Sequence, residues 1–280
     1  MTCGDDAERR TLAPPERRSA EVVGCENAGA YRLLSAEDLT GPTDPRPGQF
    51  YMVAAAERWG GGASERPYLP RALSFARADR VEHGTRLAFL LEDVGPGTRL
   101  LAELRPGDGL LLLGPLGVGF RAARDHRRPL LVGGGIGTAP LVGLCDELED
   151  ATVLLGFRSA AHAAVAALFA AQPGLATDDG STGRHGLVTE LLAEELQRDG
   201  HAEVYACGPP PMLEAVRALC AERAVPAQLA MESGMACGFG ACFGCVVATS
   251  EGFVRLCLDG PVLDAATLDT ALAPGGRHQG

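Results

Sequence analysis

No lysine occurs anywhere in the 280 residues; all 25 basic residues are arginine. A phosphate-binding P-loop needs its lysine on the nucleotide phosphates, and Schiff-base and pyridoxal enzymes need a lysine amine, so these chemistries are excluded. Basic residues are also outnumbered. With 36 acidic residues and a net charge of −11 the chain opposes a polyanion, and no nucleic acid is expected as a partner. The N-terminal stretch has no apolar signal-peptide core, only a charged run through Asp5, Arg9, Arg10, Pro14 and Pro15. No apolar run approaches the ~18 residues of a membrane span; the longest, Ala163–Ala171, is mostly alanine. A cytoplasmic protein without membrane association is expected.

What is present suits a folded chain. Hydrophobic residues at 46% and charged residues at 22% allow enough apolar burial to offset ordering entropy. The length predicts two domains and a small appendage. Nine cysteines in a chain without an export signal stay reduced, which points to metal ligation rather than disulfides.

Residues 1–19 read as a disordered tail. Between 20 and 125, six short Gly- and Pro-bounded segments, Val22–Cys25, Ala30–Leu34, Gln49–Ala55, Ala72–Ala78, Arg86–Glu92 and Leu110–Leu113, predict strands of a small antiparallel barrel. One helix is expected at Thr98–Leu104, with Gly97-Thr98 as its cap. Residues 126–230 change rhythm to strand, glycine turn and helix, including an Ala-rich helix after Thr152–Leu155, which implies a parallel sheet. Residues 231–280 hold four cysteines in a Gly-rich run and are too few to fold without a staple.

Cys237, Cys242, Cys245 and Cys257 form C-x4-C-x2-C-x11-C, the plant-type spacing for a [2Fe–2S] cluster. Gly238, Gly240 and Gly244 fit because backbone must wrap closely around inorganic sulfide and donate N–H groups to it. A four-thiolate zinc site is the alternative, but it normally uses two C-x2-C pairs and only one is present.

In the barrel region Arg71-Ala72-Leu73-Ser74 follows Tyr68 and Pro70. A guanidinium and a nearby hydroxyl suit a flavin dinucleotide, the first on pyrophosphate and the second on the isoalloxazine edge; an ordinary edge-strand arginine is the plain alternative. Gly95-Pro96-Gly97-Thr98 opens the helix, whose N-terminus suits the same pyrophosphate or is simply a cap. Gly134, Gly135, Gly137 and Thr138 follow an apolar strand and open a helix, the context of a dinucleotide turn, although the spacing departs from G-x-G-x-x-G. Cys207-Gly208-Pro209 supplies a second turn at a carboxyl strand end. No acidic residue closes the second strand, where Gly156-Phe157-Arg158-Ser159 stands; Arg158 suits a 2′-phosphate, so NAD and NADP both remain open.

In this order the motifs resemble the ferredoxin–NADP reductase superfamily over about Ala20 to Leu268. Cys237–Cys245, continuing through Val246-Val247 to Cys257-Leu258-Asp259-Gly260-Pro261-Val262, resembles more narrowly the electron-transfer subunits of NAD-dependent dihydroorotate dehydrogenase B. The resemblance implies a β plus α/β protein: an antiparallel flavin-binding barrel, a parallel-sheet nicotinamide domain and a small C-terminal [2Fe–2S] module. It implies FAD held by Arg71, Leu73 and Ser74, with Ala72 where the family has proline. Leu90, Leu91 and Glu92 would add mainly backbone contacts, and Gly97 and Thr98 the helix start. All four cysteines carry over as cluster ligands.

Nicotinamide gives hydride, an iron–sulfur cluster takes single electrons, and a flavin does both, so three sites form one path. In the family that path joins NAD to an FMN-containing dihydroorotate dehydrogenase catalytic subunit, in a heterotetramer of two of each, in pyrimidine biosynthesis. No catalytic acid or base is expected in this chain. Two alternatives stand: a reductase component feeding an oxygenase or hydrogenase, and a zinc-stabilised non-enzymatic module.

Overall fold

The computed structural model describes residues 10–60 and 67–272. Residues 1–9 of the expected tail and 273–280 of the expected C-terminal module lie outside the described residues. The rest of that tail departs from the expectation. The Thr11 backbone is bound at both ends by the buried Gln49 amide, at 3.0 and 3.1 Å, and strand β1 already begins at Arg18.

Six antiparallel strands close the barrel: β1 (Arg18–Ala28), β2 (Tyr31–Asp38), β3 (Phe50–Ala55), β4 (Arg71–Val81), β5 (Gly84–Leu91) and β6 (Gly109–Leu116). Their order is β1-β2-β5-β4-β3-β6, with β6 returning to β1. Tyr51, Phe75 and Phe89 fill the interior with edge-to-face contacts at 5.9 and 6.2 Å. Both faces of β3 are buried, and the strand's period of two divides its residues between two cores. Tyr51, Val53 and Ala55 point into the barrel, whereas Phe50 and Met52 point out and pack with Cys245, Leu256 and Cys257. Helix α1 runs Pro96–Ala102. Its cap is Gly95, not Gly97-Thr98: Thr98 sits one turn inside, its hydroxyl accepting from the Gly95 amide at 3.2 Å and donating to the Gly95 carbonyl at 3.1 Å.

The second sheet contains β7 (Arg128–Gly134), β8 (Thr152–Phe157), β9 (Gly174–Thr177), β10 (Arg184–His185), β11 (Ala202–Cys207) and β12 (Ala227–Ala230), all parallel to their neighbours. Helices α2 (Ala139–Glu147), α4 (Val188–Arg198) and α5 (Pro210–Glu222) cover it. The expected Ala-rich helix is only the turn α3 (Ala160–Ala163) followed by a 3-10 turn at Ala164–Leu168. The C-terminal part adds a hairpin, β13 (Val246–Thr249) and β14 (Gly252–Arg255), the turn α6 (Leu256–Asp259) and β15 (Val262–Asp264). It is not a separate stapled unit. β15 pairs antiparallel with β12, giving the sheet order β10-β9-β8-β7-β11-β12-β15.

Barrel and sheet are packed together. Ala76 and Leu90 of the barrel share a core with Leu141, Val142 and Tyr205, and Arg77 pairs with Asp146 of α2 at 2.7 Å. A buried polar network joins the connecting segment to the sheet. Glu203 of β11 is fully buried and accepts from the Arg121 guanidinium at 3.1 Å, the Arg124 amide at 2.8 Å and Gln228 of β12 at 2.8 Å. Arg121 also pairs with Asp264 of β15.

Candidate functional site

Three groups of sequence-predicted residues lie around the contact between barrel and sheet. In the first, Arg71 opens β4 and Gly97 is buried in the first turn of α1. A Cβ on Gly97 would stand 2.5 Å from Arg71 Nη2, so the guanidinium lies directly over the helix start. Arg71 donates to the Leu69 carbonyl at 2.6 Å and stacks 5.6 Å from the Trp59 ring centroid. Among the described residues no carboxylate pairs with it, and partial burial lowers its pKa. An uncompensated cation beside a helix N-terminus fits a pyrophosphate. Ser74 is half-buried on the same strand, and Ala72 is exposed. The side chains of Leu90 and Leu91 belong to the two cores, which leaves their backbone for a ligand.

The second group is a pair of glycine-containing turns. Gly134, Gly137 and Thr138 serve mainly the packing of these turns on each other. A Cβ on Gly137 would meet the Gly208 amide nitrogen at 2.6 Å, and one on Gly134 would meet Met212 Sδ at 2.5 Å. Thr138 is fully buried and donates to the Gly135 carbonyl at 3.0 Å. Gly135, at φ +54°, faces open space, with the Tyr31 hydroxyl its nearest neighbour. Cys207 is buried at the end of β11; burial, then the negative charge of Glu232, pushes its thiol far up, and Pro209 beside it is exposed. The sequence reading missed Tyr31 and Glu232, which lie in other elements and carry no spacing signal. It also missed a cluster around Arg158. Ser159 Oγ lies 2.9 Å from His162 Nδ1, and the Arg158 guanidinium contacts both His162 and Glu92. The only available signal was Ser159-x-x-His162 at helical spacing.

The third group is the cysteine loop. Gly238 and Gly240 take φ of +79° and +85°, the left-handed region glycine permits. Gly238 lies against Met52 of β3, where a Cβ would stand 2.5 Å from Met52 Cγ, so the loop rests on the barrel wall. The thiols lie close enough to influence one another: Cys242 acts on Cys237, and both Cys245 and Cys237 act on Cys257. Burial raises the Cys237 thiol, but the backbone N–H groups of Cys242, Phe239 and Ala241 outweigh it and bring it down to about 6. Burial, then Cys245, pushes Cys257 up to about 12. Among the described residues no three His, Cys, Asp or Glu side chains gather as ligands of one ion. A single C-x2-C pair, with backbone N–H groups gathered around Cys237, fits a [2Fe–2S] cluster better than a four-thiolate zinc site, which normally uses two such pairs.

Residues 232–269 match the iron–sulfur cluster binding domain of dihydroorotate dehydrogenase B, and residues 131–218 match the oxidoreductase NAD-binding domain. The chain is 42% identical over 232 residues to a Geobacillus kaustophilus protein named dihydroorotate dehydrogenase B (NAD(+)), electron transfer subunit, covering 79% of this chain and 85% of that one. A Clostridium acetobutylicum protein of the same name is 35% identical, covering 84% and 89%. Among solved structures the fold is similar to an NADH-dependent reduced ferredoxin–NADP oxidoreductase, with TM-score 0.74, 24% identity and 90% of each chain covered. It is similar also to a ferredoxin–NADP+ reductase from Neisseria gonorrhoeae, with TM-score 0.55, 16% identity, and 75% and 92% covered. By these relatives and by its own cysteine spacing, the chain belongs to the family of electron transfer subunits of dihydroorotate dehydrogenase B (NAD(+)).

Proposed function

We propose that this chain relays electrons between NAD and an FMN-containing catalytic subunit of dihydroorotate dehydrogenase, in a cytoplasmic complex of two copies of each. The position of the cysteine loop carries the reading: Gly238 rests on β3 of the barrel while Cys242, Phe239 and Phe243 face solvent. When bound, FAD exchanges hydride with nicotinamide and single electrons with a [2Fe–2S] cluster, and so joins a two-electron donor to a one-electron carrier.

The chain's own residues bind, orient and shield. Arg71 and the start of α1 at Gly97 and Thr98 hold the FAD pyrophosphate; Ser74, on the same strand, supplies a hydroxyl to the flavin edge. Gly135 leaves space for the nicotinamide dinucleotide at the carboxyl end of β7, with Cys207, Gly208 and Pro209 on the other side of the switch between β7 and β11. Cys237, Cys242, Cys245 and Cys257 would hold the [2Fe–2S] cluster. Positive φ at Gly238 and Gly240 folds the loop so that its N–H groups face the sulfur atoms.

The loop presents an apolar surface. Phe239 and Phe243 are 49% and 63% exposed, a patch suited to a protein interface on a chain otherwise rich in acid. Phe239→Glu or Phe243→Glu, with iron content preserved, is expected to abolish orotate-linked turnover with the catalytic subunit while NADH still reduces an artificial dye. Retained turnover in both variants would sink this exit route. Absence of orotate-dependent NADH oxidation in the assembled wild-type pair would sink the reading as a whole.

A further inference from the structure

We propose that Glu92 makes the nucleotide site at the end of β8 select a ribose 2′-hydroxyl over a 2′-phosphate. The inference rests on the parallel sheet being the nicotinamide site. β8 neighbours β7, the first strand, in the order β9-β8-β7-β11-β12. In sheets of this order the adenine ribose is read at the end of the second strand, by an acidic side chain for a 2′-hydroxyl or a nearby arginine for a 2′-phosphate. Here the strand ends Phe157-Arg158-Ser159, with the arginine and without the acid.

The missing carboxylate comes from the barrel. Glu92 directly follows β5, 66 residues before Arg158, and its Oε1 accepts from Arg158 Nη2 across the contact between the two sheets. The carboxylate is the more anchored partner, 23% exposed against 66% for the arginine side chain. His162 Nε2 lies 3.1 Å from Arg158 Nη2 and 3.8 Å from Glu92 Oε1. Ser159 holds the other ring nitrogen of His162, and Tyr31 packs edge-on against the ring at 5.6 Å. Arg158 is therefore drawn toward the barrel and its charge is matched.

An incoming 2′-phosphate would have to take Arg158 from Glu92 and then stand beside a carboxylate, with like charges close together in a partly desolvated place. A 2′-hydroxyl meets neither obstacle. It donates to a carboxylate whose two oxygens have acceptor capacity beyond the bond to Arg158.

The test is calorimetric titration of the FAD-loaded protein with ADP-ribose and with 2′-phospho-ADP-ribose, flavin absorbance reporting that each variant is loaded. Wild type is expected to bind ADP-ribose more tightly. Glu92→Gln should shift the ratio of the two Kd values at least about tenfold toward the 2′-phosphate, the scale of one charge-assisted hydrogen bond. Adding Arg158→Ala should remove that gain. Arg158→Ala alone leaves the barrel untouched and serves if Glu92→Gln loses flavin; it should move the ratio further toward ADP-ribose, because the carboxylate is then bare. A wild type that prefers the 2′-phosphate, or an unchanged ratio in Glu92→Gln or in Arg158→Ala, overturns the proposal and leaves the nicotinamide site standing. Failure of every form to bind ADP-ribose overturns the site itself.

Discussion

Arg71 shows how much depends on one side chain's surroundings. Its guanidinium lies over Gly97 with no described carboxylate to neutralise it, so its charge is available to a bound anion. Arg71→Ala is expected to weaken FAD by about 1.5–3 kcal/mol, the value of a hydrogen bond to a charged group. Flavin occupancy after dilution and gel filtration measures it, and undiminished occupancy would remove Arg71 from the site. Arg158 is the contrasting residue. Its type alone suggests a phosphate ligand, yet its charge is already met by Glu92. The two arginines differ in which element packs beside them, which residue type does not reveal.

At the scale of elements, the buried network on Glu203 ties the segment after the barrel to three strands of the sheet. Arg121 and the Arg124 amide approach from the connection, Gln228 from β12, and Asp264 of β15 pairs with the same Arg121. Removing one member of such a group leaves a buried charge without its partner, which costs about 3–5 kcal/mol. Glu203→Ala is therefore expected to lower the chemical denaturation midpoint strongly. Arg184→Ala is the comparison, since its pairs with Glu190 and Glu194 are about half exposed and such pairs contribute little. A midpoint in Glu203→Ala equal to wild type would show that the network does not hold the elements together.

Across the whole molecule, the C-terminal segment is fastened to the second sheet at two places. β15 extends the sheet, and Glu214 of α5 accepts from the Ala271 amide at 2.6 Å and the Thr270 hydroxyl at 3.0 Å. The Arg217 guanidinium, aided by these donors, holds the Glu214 carboxyl down at about 2 against an ordinary 4.5. A depressed carboxylate contributes its stability above its unfolded value and loses it as pH falls toward the folded one. Glu214→Gln should thus lower the Tm near neutral pH, and the gap to wild type should shrink as pH drops from about 4.5 toward about 2. A gap independent of pH would mean that the carboxylate charge is not what fastens the segment.

The match of residues 232–269 to an iron–sulfur cluster binding domain was legible because its signal is local: four cysteines in C-x4-C-x2-C-x11-C, interleaved with glycines, lie within about twenty residues, and no distant partner is needed to read them. The barrel and the parallel sheet were legible for a similar reason, since a period of two, glycine turns and intervening helices are properties of short windows. The expected tail and separate C-terminal module were misread where a distant contact prevailed, Gln49 holding Thr11 and β15 joining β12; the helix cap was misread locally, because Thr98 bonds back to Gly95 from inside the first turn. The sequence by itself thus determined the kinds of cofactor chemistry and the order of the domains. The tertiary structure alone decided that Gly134 and Gly137 serve the packing of two turns, that the cysteine loop rests on β3, and that Glu92 reaches Arg158. Each of these is a contact between elements far apart in the chain, set by how two cores pack rather than by any spacing along it.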